Sequence, residues 1–260
     1  MSFAGILAAA RPLEPGGLAA TIPEEWQQGR TAYGGLSAAL ALAAAKRLNG
    51  DLPPLRSAQI AFVGPIAGEV EVVPRLLRRG RNATWIAAEI TGEGGVGLVA
   101  TFVFMQPLPS GTRVQAPAPP AGLIAPVDAQ PFDSQMRPAF LRHNFKARFA
   151  LPRPEGKSAD ICLWLRLLDS AELPTDIELL LVGDGLRPAV LPAMERPGPV
   201  SSMTWQTNLL APGHRSEDGW WLLRSTADHA ADGNSSQAMT LWSGDGTPCA
   251  AGTQSVAVFG

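Results

Sequence analysis

One pattern of elements runs along this chain twice, and such a repeat limits the possible architectures more than any single residue does. In the first half, Leu36, Ala39, Leu40, Ala43, Ala44 and Leu48 recur at helical spacing after Thr31-Ala-Tyr-Gly-Gly35, and Asn49-Gly50 closes the helix. Alanine also fills much of the opposite face, so this helix is expected to be enclosed on all sides. Four strand-like runs follow, Arg56 to Val63, Gly68 to Arg78, Ala83 to Thr91 and Val96 to Met105. Gly64-Pro65, Arg79-Gly-Arg81 and Gly92-Glu-Gly-Gly95 separate them. Strands joined by such tight turns make an antiparallel meander rather than βαβ units, so the unit is one helix against one curling sheet.

Periodicity then disappears through a stretch broken by Pro109, Pro117, Pro119, Pro120, Pro126 and Pro131, which reads as a semi-rigid surface linker. Beyond it the order of elements returns. Strand-like runs at Ala147 to Leu151 and Ala159 to Leu167 precede a helix, and further runs lie at Met203 to Leu210, Gly219 to Ala227, Ala238 to Ser243 and Ala250 to Phe259. Thr175-Asp-Ile-Glu178 after Pro174 has the form of a capping box opening that second helix. The expected fold class is α+β, with two tandem modules over 1–106 and 141–260 joined by a proline-rich linker over 107–140.

At 260 residues, 46% apolar and 17% charged, the chain can bury a real core in either module. A net charge of −2 gives no basic field for nucleic acid or an anionic membrane, so neither is an expected partner. The longest apolar stretch, Leu36 to Ala45, is much shorter than the ~20 residues needed to span a bilayer. Phe3 to Ala10 reads as a short amphipathic helix rather than a signal core, because no Lys or Arg precedes it, and a cytoplasmic protein is the default expectation. Cys162 and Cys249 sit in apolar contexts as core thiols, and His143, His214 and His229 are scattered, so no metal site and no cofactor is implied.

Few residues resist a packing explanation. Ile177, Leu180, Leu181 and Asp184 fall at i, i+3, i+4 and i+7, which places a carboxylate on the buried face of the second helix, between Gly183 and Gly185. It is either a solvated helix-end carboxylate or a desolvated one poised as a base. Strict alternation from Ser202 puts Ser202, Thr204, Gln206 and Asn208 on one face of a strand and Met203, Trp205, Thr207 and Leu209 on the other. Gln254 shares the apolar face of the last strand with Val256 and Val258, and an unpaired buried amide costs on the order of 1–3 kcal/mol. It needs a structural partner, or a water or carboxylate to orient. No Gly-x-Ser-x-Gly elbow and no phosphate-binding glycine pattern occurs.

With those residues in place, the chain resembles the double-hotdog acyl-CoA thioesterases of the thioesterase II-like group over nearly its whole length. The resemblance rests on Gly29-Arg-Thr-Ala-Tyr-Gly-Gly35, Arg56-Ser-Ala-Gln-Ile-Ala-Phe-Val-Gly-Pro65 and Leu77-Arg-Arg-Gly-Arg-Asn82 in the first module. In the second it rests on the Asp184 helix, Ser202-Met-Thr-Trp-Gln206 and Gly244-Asp-Gly-Thr-Pro-Cys-Ala-Ala-Gly-Thr-Gln254. It implies two hotdog modules, hydrolysis of an acyl-CoA thioester without a cofactor, and association into a homodimer or higher homo-oligomer. Residue by residue it implies that Asp184, a hydroxyl and Gln254 hold the attacking water. Ser202 is the best-placed hydroxyl, with Ser201 and Thr204 beside it on a strand reached through a connection containing Pro188, Pro192, Pro197 and Pro199. Backbone amides near Gly34 and Gly35, beside Tyr33, are candidate oxyanion donors, Trp205 and Trp242 candidate walls of the acyl channel, and Arg81 a candidate CoA phosphate contact. A non-catalytic acyl-CoA or lipid-binding protein of the same fold is the alternative. A hotdog hydratase fits poorly, because Asp228-His229 is adjacent rather than suitably spaced.

Overall fold

The structure, a computed structural model, describes residues 1–132, 137–170, 172–196 and 198–259. The first half opens with α1 (Phe3–Ala9), the hairpin of β1 (Arg11–Leu13) and β2 (Gly17–Ile22), and a ribbon of β3 (Gln27–Gln28) and β4 (Thr31–Ala32). The long helix α2 (Gly34–Leu48) follows, then the meander β5 (Leu55–Phe62), β6 (Gly68–Arg79), β7 (Ala83–Gly92) and β8 (Gly95–Met105). The second half holds α3 (Ala139–Asn144), β9 (Phe145–Phe149), β10 (Asp160–Leu167) and α4 (Thr175–Gly183). It closes with β11 (Val200–Leu209), β12 (Trp221–Ala231), β13 (Asn234–Ser243) and β14 (Pro248–Val258). The helices and meanders lie where the hydrophobic period places them. The β1–β2 hairpin and α3 were not legible, because both are short and α3 begins inside the stretch read as linker.

All strands except the β3–β4 ribbon join one sheet in the order β1-β2-β6-β7-β8-β5-β11-β14-β13-β12-β10-β9. The halves meet where β5 pairs antiparallel with β11, from Thr204 opposite Ala61 to Asn208 opposite Ser57. The sheet curls around two helices that lie side by side in its concave face, which is the double-hotdog α+β architecture. α2 is buried continuously from Gly35 to Ala45, and its run of alanines lets strands and α4 approach it closely. One apolar core runs through both halves.

Helices α2 and α4 are antiparallel. Lys46 near the end of α2 pairs with Asp176 near the start of α4 at 2.7 Å, while Gly34 at the start of α2 meets Asp184 at the end of α4. Each contact sets a charge against the helix end that favours it. At the second contact Tyr33 acts as a pin. Its hydroxyl donates to the Leu181 carbonyl at 2.7 Å, and its ring stacks on Phe140 at 3.9 Å within a cluster that includes Trp26 and Phe145.

Two expectations are corrected. The capping box at Thr175 does not form: Pro174 is the N-cap, and the Glu178 carboxylate turns inward to accept from Trp221 Nε1 at 3.0 Å, with Arg215 at 3.9 Å. A buried indole N–H needs an acceptor, and that demand outweighs a local cap. The proline-rich stretch is also more than a spacer. Its Pro117 and Ile124 carbonyls accept from the indoles of Trp242 and Trp164, and Leu123, Ile124 and Ala129 cover the outer face of the sheet in its second half. Pro197 lies outside the described residues.

Candidate active site

Asp184 is the C-cap of α4, with φ −92° and ψ 7°, so its side chain leaves the helix end and faces the first turn of α2. It is half-buried on the wall of a pocket of about 320 Å³ at the junction of the two halves. Gln254 Nε2 donates to Asp184 Oδ1 at 2.9 Å, and the Gly35 amide also bonds the carboxylate. Burial nevertheless dominates these two bonds and pushes its pKa up to about 7. A Cβ on Gly34 would stand 2.5 Å from Asp184 Oδ2 and 2.9 Å from the Phe62 ring, so only glycine allows this approach.

Ser202 reaches the same pocket through an irregularity. Strict alternation places it on the face of Thr204 and Gln206, which are exposed. A β-bulge between Ser202 and Thr204 changes the phase, so that Ser202 pairs with Val256 and Trp205 with Gln254. Both therefore lie on the inner face, and Ser202 lines the pocket with Ser201 and Val200. Thr204 points outward and does not line it.

The rest of the wall comes from the first half: the β3–β4 ribbon, the start of α2 and the turn from Phe62 to Ile66. Thr31 Oγ1 accepts from the Ile66 amide at 3.0 Å and fixes that turn against the ribbon. Asp184 and Arg30, an exposed side chain, are the charged residues among the described lining. Neither Arg30 nor Phe62 was singled out in the sequence, where an arginine in a turn and a phenylalanine on a strand carry no signal of their own.

The pattern of the acyl-CoA thioesterase N-terminal domain matches residues 22–105, and that of the C-terminal domain matches residues 116–258. The chain belongs to the acyl-CoA thioesterase family. Solved structures of similar fold include a hot dog protein of unknown function from Alicyclobacillus acidocaldarius, 20% identical with a TM-score of 0.87, covering 100% of this chain and 99% of that one. The tesB protein of Mycobacterium avium subspecies paratuberculosis is 16% identical with a TM-score of 0.81, covering 100% of both chains. Acyl-CoA thioesterase II TesB2 of Mycobacterium marinum is 16% identical with a TM-score of 0.74, covering 99% and 98%. No curated protein sequence matches the chain.

Within this thioesterase fold the other expected site residues separate. Gly34 lines the pocket. The Gly35 amide is spent on Asp184 rather than left for an oxyanion. Tyr33 is fully buried and bonded to Leu181, with its hydroxyl pKa held well above the usual value mainly by burial and secondarily by the Asp184 charge. Trp205 is buried against Gly183, where a Cβ would come within 3.0 Å of its ring, and borders a void of about 20 Å³ among leucines behind Asp184. Trp242 is corrected: it packs beneath the proline-rich stretch, outside the concave face. Arg81 does not line this pocket. It is exposed in the β6–β7 turn beside Met105, at the end of β8 opposite to the Gly97 and Leu98 that line the pocket, and Arg30 is the pocket's arginine instead.

Proposed function

We propose that the protein hydrolyses an acyl-CoA thioester to the free acid and CoA, with Asp184 as the base that activates water. One observation carries this reading: a carboxylate with a pKa of about 7 is fixed by Gln254 and Gly35 in a pocket between the two halves. Near neutral pH such a group takes a proton readily yet is still ionised in much of the population, as a general base requires.

A thioester carbonyl is electrophilic enough to be attacked by water directly. Asp184 accepts a proton from the water as its oxygen bonds to the acyl carbon. The tetrahedral intermediate then expels the CoA thiolate, and the proton held on Asp184 is available to the leaving sulfur. Ser202 supplies a second hydrogen bond to the water. The positive end of the α2 dipole, with the Gly34 amide on the pocket wall and the Gly35 amide already bonded to Asp184, favours the developing oxyanion. Arg30 at the mouth suits the CoA phosphates, and Trp205 closes the apolar side behind Asp184 and limits acyl length.

The test is thiol release from acyl-CoAs of graded chain length. Wild type is expected to turn over at least one of them, and folded Asp184→Asn is expected to lose roughly 10²- to 10⁴-fold in kcat. Binding without turnover of any acyl-CoA would replace catalysis with a carrier or sensor role.

A further inference from the structure

The inner face of the second half holds another buried amide that the reading above does not use. Gln237 on β13 is fully buried and stands directly opposite Gln254 in the β13–β14 ladder. Its Oε1 accepts from the Ala189 amide at 2.8 Å and from the Ser225 hydroxyl at 3.1 Å. The carboxamide cannot turn over without giving up both bonds. That fixes Nε2 as its outstanding donor, and Nε2 has no hydrogen-bond partner among the described residues. A buried N–H left unpaired is expensive, and one opposite the glutamine that holds Asp184 calls for a role.

Side chains directly opposed on one face of an antiparallel pair have Cβ atoms about 4.5–5.5 Å apart, within reach of two glutamines. Gln254 spends its Nε2 on Asp184, and its Oε1 remains as acceptor. We propose that Gln237 is a positioning residue, whose Nε2 donates to Gln254 Oε1 in the working site and so fixes which end of the Gln254 amide faces Asp184. Ala189 belongs to the segment that follows Asp184, so the path from Ala189 through Gln237 and Gln254 returns to the carboxylate it serves. Without Gln237 the Gln254 amide is free to turn and present oxygen to Asp184, exchanging an attraction for a repulsion.

The inference rests on Asp184 being the ionising group of the site, and the readout is chosen to survive failure of the hydrolase reading. Among the described residues, the ionisable side chains near Asp184 are Tyr33, before α2, which feels its charge, and Arg30, between β3 and β4, which lines the same pocket. Neither is altered in the test. The Asp184 carboxyl is titrated by NMR in carbon-13 aspartate-labelled wild type and Gln237→Met, which keeps the side-chain length and removes the donor. The midpoint is expected to move up by about half a unit or more, because a hydrogen bond to the ionised form is lost. kcat is expected to fall about threefold or more below pH 7 with KM little changed, and Gln237→Met is expected to add nothing in a Gln254→Met background. If Gln237→Met does not fold, Gln237→Asn, which withdraws the donor by one bond, is titrated instead with the same expected shift. A folded variant of either kind with lower thermal stability but an unmoved Asp184 midpoint overturns the proposal. A wild type that hydrolyses no thioester sinks the hydrolase reading and leaves this titration to be read by itself.

Discussion

Asp184 faces opposed demands, because the charge a base needs is the charge that burial disfavours. With its pKa raised to about 7, kcat/KM is expected to rise through that pH and level off above it, in a profile measured from pH 5 to 9. The same shift makes a stability statement. A carboxyl whose folded pKa exceeds its unfolded value binds more protons in the folded state between the two, so stability falls as pH rises through that window. Asp184→Asn has no such charge to bury. Its thermal midpoint is expected to gain on wild type from about pH 4 to about pH 7, then hold a constant margin. A margin that shrank across this window would contradict the desolvated carboxylate.

At the scale of elements, β11 shows how one extra residue re-aims a strand. The bulge at Met203 brings Ser202 onto the Gln254 face, and Thr204 stays outside. Ser202→Ala is therefore expected to lower kcat about tenfold, the scale of one lost hydrogen bond, and Thr204→Ala to change it less than twofold. Steady-state kinetics on the two variants separates these hydroxyls, and equal effects would contradict the phase set by the bulge. The end of α4 matters in the same way. Gly183 admits the Trp205 ring and Gly34 of α2 admits the carboxylate, so two glycines let helix, strand and helix converge on one point.

At the scale of the molecule, the β5–β11 seam makes one sheet of two halves and completes the pocket, which neither half lines alone. A fragment of residues 1–106 would uncover the β5 edge and the α4-facing side of α2, which carries buried leucines and alanines. It is expected to self-associate or aggregate, as followed by light scattering, whereas a soluble folded monomer would show that the halves are independent. The outer edges of the intact sheet are blunted. β1 is three residues long and contains Pro12, and Gln130 and Phe132 bond the free side of β9.

The sequence by itself determined the repeated order of elements, since hydrophobic period and turn residues act over a few positions. It also exposed Asp184 and Gln254 as polar residues on apolar faces. Only the tertiary structure decided what those misfits touch. Gln254 meets Asp184 across 70 positions, Tyr33 is pinned to Leu181 across 148, and Glu178 turns to Trp221 across 43. Arg30 replaces Arg81 at the pocket, and the bulge rather than alternation directs Ser202. Local pattern says whether a side chain belongs to the inner face of its own element. Which neighbour it meets there depends on how distant strands and helices pack, and that follows from burying both halves against each other.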